Sequence, residues 1–227
     1  MKADPEKVEK AKLEIAQLRE KSLSGEIALL FEDETVMWRF ALPRRGWFKR
    51  EKRATIKTDK PKQSEIKKQE SLKREQWKEH RKFSQISTGV LLFVIGAVCY
   101  STNQVFSNVV ASFDALGFKA FLERLMFRFK KEGKKVVVVV DNSKVHKARL
   151  VENFVEENKQ WIELYFLPEH SGHLLNPIEP FWKELKTAVN GNQSYGTLNK
   201  LYRRTRHVLQ RNHTIPIYHF PWIEKSA

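Results

Sequence analysis

A mixed α/β sheet with helices on both faces is the architecture this sequence predicts, and three observations carry it. Residues 136–140 are five consecutive valines, the pattern of a strand buried on both sides beneath helices. Three strand-like apolar runs, read as a meander, come before them and before the helical stripe that starts at Asp114. After them, helical and strand-like segments alternate, which is how a chain covers both faces of a sheet.

The elements follow in order. Asp4-Pro5 supplies a cap and a first-turn proline, and Val8, Ala11, Ile15 and Leu18 recur at helical spacing up to Gly25, giving a leading helix over residues 1–25. Glu26 to Asp33 reads as a strand, which Thr35 to Phe40 continues or pairs with. Gln85 to Tyr100 and Gln104 to Ala111 predict two further strands, antiparallel neighbours. Asp114 starts a helix whose apolar stripe is Phe118, Phe121, Leu122, Leu125 and Phe129, and Gly133 ends it. The strand Lys135 to Val140 stops at Asp141. A helix over about 144–158, a strand over 161–167, a helix opened by Asn176-Pro177 and a basic helix near 197–210 complete the chain. A three-strand meander followed by alternating helices and strands is the order of the ribonuclease H-like arrangement.

Charge separates this chain from ordinary metabolic enzymes. Its 227 residues hold 42 Lys+Arg against 27 Asp+Glu, a net charge of +15. At 41% hydrophobic residues it can bury a full core, which excludes wholesale disorder. A single cysteine, Cys99, excludes an intramolecular disulfide framework and a multi-thiolate zinc site, and fits a reducing compartment. The longest apolar run, Val90 to Tyr100, is too short to span a bilayer as a helix, and the N-terminus has no apolar signal core. The expectation is a soluble cytoplasmic protein whose polyanionic partner is nucleic acid rather than a membrane.

Most of the excess sits in one place. Arg44 to Lys82 holds 16 basic and six acidic residues, +10 of the +15, with only Ile56, Ile66 and Leu72 as aliphatics. It predicts a solvated basic insertion, 44–83, inside a core of 26–190 that is followed by a basic C-terminal helix and tail, 191–227. Trp47, Phe48 and Trp77 among the charges suit phosphate contact with base stacking, or else anchor a charged surface loop. Arg44, Arg45, Lys49, Arg50, Lys52 and Arg53 are the candidate DNA contacts of this segment.

Three acids pose a chemical question. Asp141 follows the most buried strand, where open α/β sheets place ligand-binding groups, although it could simply cap the next helix. Asp33 ends a strand in phase with Ile27, Leu29 and Phe31, or belongs to a solvated end with Glu32 and Glu34. Glu179 falls three residues after Asn176, the position of a capping-box glutamate. Taken together, two aspartates at ends of adjacent central strands and a glutamate in a helix's first turn can converge. Clustered carboxylates repel unless cations lie between them, and Mg²⁺ or Mn²⁺ suits hard oxygen ligands. Two such ions can drive an in-line phosphodiester displacement.

Phe31-Glu-Asp-Glu34, Val140-Asp-Asn-Ser-Lys-Val-His146, Tyr165-Phe-Leu-Pro168 and Leu175-Asn-Pro-Ile-Glu-Pro-Phe-Trp-Lys-Glu-Leu-Lys186 resemble the signatures of DDE transposases of the mariner superfamily, in its bacterial insertion-sequence branch. The resemblance covers roughly Asp4 to Lys186 without the basic insertion. It implies a ribonuclease H-like catalytic core with Asp33, Asp141 and Glu179 as catalytic metal ligands for two Mg²⁺ (or Mn²⁺) ions, cutting double-stranded DNA at transposon ends and joining 3′ ends to target DNA. It also implies a homodimer on paired ends. Thirty-seven residues separate Asp141 from Glu179, and Ser171-Gly-His-Leu-Leu175 replaces the usual turn, which predicts a longer loop. Only about 25 residues precede the first strand, so the family's N-terminal helix-turn-helix is expected on a separate polypeptide or lost from a fragment.

Further candidates are weaker. His146 could approach the metal site or a DNA phosphate, or pack at a helix start. Lys183 and Lys186 lie one and two turns beyond Glu179, and Arg203 and Arg204 head a basic patch with Arg206, His207 and Arg211 that suits backbone phosphates. His170 and His173 make a poor zinc case. Two other readings stay open: a different ribonuclease H-fold nuclease or resolvase, and a DNA-binding transposase remnant without catalysis.

Overall fold

The computed structural model describes residues 3–41 and 91–211, so the basic insertion expected at 44–83 lies outside the described residues, as does the tail beyond 211. The elements are α1 (Pro5–Leu23), β1 (Ile27–Trp38), β2 (Leu91–Cys99), β3 (Val105–Val110), α2 (Ala115–Lys130), β4 (Lys135–Val140), α3 (Arg149–Glu157), β5 (Ile162–Phe166), α4 (Gly172–Leu175), α5 (Glu179–Asn190) and α6 (Leu198–Arg211). The strands form one sheet in the order β3-β2-β1-β4-β5, with β1-β2 and β2-β3 antiparallel and β1-β4 and β4-β5 parallel. This bears out the predicted ribonuclease H-like mixed sheet.

Period-two alternation along the central strands sorts side chains into two cores. Leu29 and Phe31 of β1 with Val137 and Val139 of β4 face one side, covered by α1, α5 and α6. Ala28 and Leu30 with Val136, Val138 and Val140 face the other, covered by α2 and α3. The leading helix therefore shares the core, through Val8, Ala11 and Ile15, as does α6 through Leu198, Leu201, Val208 and Leu209. Its start is as the sequence predicts, the Asp4 side chain accepting from the Glu6 amide at 3.1 Å.

The register of β1 positions the site. Against β4 it pairs only over Ile27–Phe31, whereas against β2 it pairs from Leu30 to Trp38. Beyond Phe31 the central strand thus runs on past the carboxyl end of its parallel neighbour, leaving space on one side of residues 32–34. Thr35 to Phe40 continues the first strand as far as Trp38 instead of starting a hairpin. Two other expectations change. The helix expected over 144–158 begins at Arg149, because residues 144–147 form turns that fold His146 back onto Asp141. The longer loop expected before Glu179 contains the short helix α4.

Candidate active site

Asp33 does not end its strand, as the sequence suggests; it stands inside β1, opposite Gly96 of β2. The difference arises because β1 keeps β2 as a partner after β4 has stopped. Alternation aims Asp33 to the side of Leu29 and Phe31, under α5, where the Trp182 indole N–H donates to its Oδ2 at 2.9 Å. The indole lies against Gly96, where any Cβ would stand 2.5 Å from a ring carbon. Burial pushes the Asp33 carboxyl up to about 6, the charges of Glu179 and Asp141 add to the rise, and hydrogen bonds from the Glu34 backbone and Trp182 oppose it.

Asp141 occupies the end of β4 with its side chain half exposed. Its Oδ1 accepts from the Ser143 amide at 2.7 Å and from His146 Nδ1 at 3.0 Å. The capping explanation is realised only as this local turn, not as a helix cap, since α3 starts later. The His146 hydrogen bond, more than any other influence, holds the Asp141 carboxyl below the usual range, against the effect of burial. Glu179 is exposed at the first position of α5. No capping box forms there: Ile178 is the cap residue, without a side-chain bond. Asn176 instead straps the segment to β1, donating to the Glu32 carbonyl at 2.7 Å and accepting from the Ile178 amide at 3.3 Å. Both Glu179 and Asp141 thereby come close enough to Asp33 for their charges to act on it.

Sequence reasoning passes over the residues on the other face of β1. Glu32 is 1% exposed rather than part of a solvated strand end, and Glu34 is half-buried. Both are in phase with Ala28 and Leu30, a phase legible in the sequence, and face His146. Burial, with the charges of neighbouring acids, raises the Glu32 carboxyl well above its ordinary range and that of Glu34 to about 7, His146 opposing the latter rise. His146 itself is 1% exposed and packs on Phe118 and Phe113 with ring centroids 4.4 and 5.7 Å away. The DNA contact expected of it does not fit that placement, whereas the approach to Asp141 does. The sequence marks Trp182 only as a core residue and Asn176 only as a cap; the structure gives both a hold on β1.

Of the other expected DNA contacts, Arg44, Arg45, Lys49, Arg50, Lys52 and Arg53 lie outside the described residues. Lys183 and Arg203 are exposed, and Lys186 is half-buried. Arg204 is diverted: its guanidinium donates to the Ala188 carbonyl at 3.0 Å, pinning α6 to α5. His170 belongs to no group of metal-ligating side chains among the described residues, and the side chain of His173 lies outside them.

No curated protein matches the chain. Solved structures do. The Mos1 transposase paired-end complex with left transposon end matches with a TM-score of 0.57 at 16% identity, covering 99% of this chain and 60% of that one. The mariner Mos1 paired end complex with Mg gives 0.58 at 13% identity, covering 97% and 58%. The catalytic domain of Mos1 mariner transposase gives 0.55 at 12% identity, covering 99% and 90%. The present chain thus spans about 60% of the Mos1 chain in its paired-end complex, and at these identities the likeness establishes the fold. A family model described as DDE superfamily endonuclease matches residues 28–202, from the central strand through α5 and into α6. With most of the sequence inside that match, the chain belongs to the DDE superfamily endonucleases.

Proposed function

We propose that this chain is the catalytic part of a mariner-type transposase of the bacterial insertion-sequence branch, cutting DNA at transposon ends and joining the 3′ ends to target DNA. The observation that carries the reading is the meeting of charge at Asp33, where Glu179 from α5 and Asp141 from β4 both act on a carboxyl of the central strand. The donor set fits divalent cations. Three carboxylates at the end of a parallel strand pair repel one another without a cation, and an all-oxygen set matches Mg²⁺ or Mn²⁺. Asp33, Asp141 and Glu179 would hold two such ions, whose chemistry when bound is to activate water or a 3′-hydroxyl and to stabilise the leaving oxygen. The Mos1 matches include a complex with Mg and a strand transfer complex, which supports the same reading.

The chain's own groups prepare that site. Trp182 fixes the direction of Asp33, while Ser143 and His146 keep Asp141 ionised and oriented. Asn176 holds the entry to α5, and with it Glu179, against β1. Exposed Lys183 and Arg203, with the basic segment 44–83, would contact DNA phosphates. In this reading 26–190 is the core, two copies act on paired ends, and the protein works on cytoplasmic DNA.

The test supplies the full chain with Mg²⁺ or Mn²⁺, supercoiled plasmid and a labelled duplex bearing a free 3′-hydroxyl. Metal-dependent nicking and joining of the duplex to plasmid are expected, and both should vanish in Asp33→Asn, Asp141→Asn and Glu179→Gln. Nicking without joining would favour another nuclease or a resolvase. DNA binding without any metal-dependent cleavage would favour a remnant.

A further inference from the structure

On the side of β1 away from Asp33 lie donor atoms to which the proposed cleavage gives no role: the carboxylates of Glu32 and Glu34, and Nε2 of His146, whose Nδ1 serves Asp141. One ligand atom each from Glu32, Glu34 and His146 lies within 4.8 Å of the other two. Both carboxylate oxygens of Glu32, Oε2 of Glu34 and Nε2 of His146 are buried without a hydrogen bond. Glu32 Oε2 stands 3.4 Å from Nε2, and both side chains are almost wholly buried. A carboxylate withdrawn from water with no donor on either oxygen is costly. A proton or a cation between these groups would offset that cost.

We propose that Glu32, Glu34 and His146 form a second divalent-cation site, with a nitrogen donor that favours Mn²⁺ or Zn²⁺ over Mg²⁺. Geometry supports it first: ligand atoms about 2.1 Å from one ion stand about 3 Å apart when adjacent and about 4.2 Å apart when opposite, and the 3.4 Å between Glu32 Oε2 and His146 Nε2 falls within that range. The imidazole supports it next. His146 Nδ1 lies 3.0 Å from Asp141 Oδ1 and 3.1 Å from the Asp141 carbonyl oxygen, both acceptors, so the ring hydrogen sits on Nδ1 and the Nε2 lone pair faces the two glutamates. A metal-ligating histidine characteristically donates its other N–H to a carboxylate or carbonyl in this way. Phe113 and Phe118 fix the ring plane. The donor set of two carboxylates and an imidazole suits Mn²⁺ or Zn²⁺, whereas Mg²⁺ prefers oxygen alone. Asp141 then serves both sites, as the hydrogen-bond partner of His146 here and as a carboxylate of the triad there.

The rival occupant is a proton, which would make His146 an imidazolium between Glu32 and Asp141. Mn²⁺ alone distinguishes the two, and the proposal stands whether or not the triad cuts DNA. In a full chain carrying Asp33→Asn and Glu179→Gln, which weakens the triad, equilibrium binding read by electron paramagnetic resonance should show one Mn²⁺ per chain. Pulsed spectra of that ion should carry ¹⁴N modulation, and melting should shift upward with Mn²⁺. Adding His146→Gln should abolish the modulation, and adding Glu34→Gln, which keeps the imidazole, should weaken binding at least tenfold. A folded Asp33→Asn/Glu179→Gln chain that binds no Mn²⁺, or binds it without nitrogen modulation, overturns the proposal. So does modulation that survives His146→Gln. If the His146 variant fails to fold by circular dichroism, the Glu34→Gln result decides: unchanged affinity overturns the site.

Discussion

Asp33 and Glu34 are carboxyls that the fold keeps partly protonated near neutrality, and this links stability to pH. An unfolded aspartate titrates near 3.9 and a glutamate near 4.3. In the native chain the two are pushed up to about 6 and about 7, and Glu32 is raised as well. The native state therefore holds protons that the unfolded state has released, so metal-free stability falls as pH rises from about 4 through 7. Asp141, with its lowered value, works oppositely, gaining stability for the native state as pH rises through the low carboxylate range and leaving the neutral window to the raised groups. Melting in EDTA should give a lower Tm at pH 8 than at pH 5, and Mn²⁺ should raise Tm more at pH 8, where the carboxylates are free to bind it. An equal or higher Tm at pH 8 in EDTA would contradict the raised carboxyls. At the same scale, Asp141→Asn tests the chemistry. Removing a group that merely hydrogen-bonds a metal ligand commonly costs 10–100-fold, so removing a direct ligand should lower metal-dependent cleavage by more than about 100-fold. DNA affinity, measured by fluorescence anisotropy, should stay the same or tighten because a negative charge has gone. Cleavage at the native rate would remove Asp141 from the reaction.

Elements, rather than single side chains, set where these acids stand. The overrun of β1 past β4 opens the space at residues 32–34, and α5 reaches that space through two contacts: Trp182 over Gly96, and Asn176 on the Glu32 carbonyl. Gly96→Ala would place a methyl 2.5 Å from the Trp182 ring, between a buried strand and the buried face of α5. Overpacking of this kind costs about 1–3 kcal/mol, and a misplacement of about 1 Å near a reacting centre can cost about 100-fold in rate. The variant should fold with a lowered Tm and lose disproportionately in kcat; an unchanged kcat would show that Trp182 does not orient Asp33. Asn176→Ala should cost about 1–3 kcal/mol in denaturant unfolding, since it leaves a buried carbonyl without its donor. The elements themselves are legible in the sequence because each carries its own period: the valine run of β4, the phenylalanine stripe of α2 and the Asp4-Pro5 start of α1. The three acids are legible through their placement beside those elements. The Glu32–Glu34–His146 cluster is not, because its burial depends on which neighbour a strand outlives, and that is fixed by tertiary register. The Arg204 contact is illegible for the same reason, since only the packing of α6 on α5 brings its guanidinium to the Ala188 carbonyl.

Over the whole molecule, the charge is concentrated where the sheet can spare it. The chain carries +15, of which Arg44 to Lys82 contributes +10. That segment joins β1 to β2, which are antiparallel neighbours paired in register up to Trp38 opposite Leu91. The two strand ends that it connects therefore stand side by side, and a short turn can join them as well as a long insertion. Shortening the connection also lowers the entropy cost of closing it, which grows with the logarithm of loop length. Deleting residues 44–82 and bridging the ends with a glycine-serine turn should accordingly preserve circular dichroism and cooperative melting. What it should remove is affinity for duplex DNA. A protein that neutralises Z phosphates shows log affinity falling with log salt at a slope of about −0.9Z, so every phosphate that the shortened chain no longer neutralises flattens the slope by about 0.9. Titrations of a labelled duplex at several salt concentrations should therefore show weaker binding at low salt and a shallower slope, whatever the duplex sequence. An unchanged slope with unchanged affinity would mean that the segment does not touch DNA and that phosphate binding rests on groups such as Lys183 and Arg203. Loss of the folded state would mean that the sheet depends on the segment despite the adjacent strand ends.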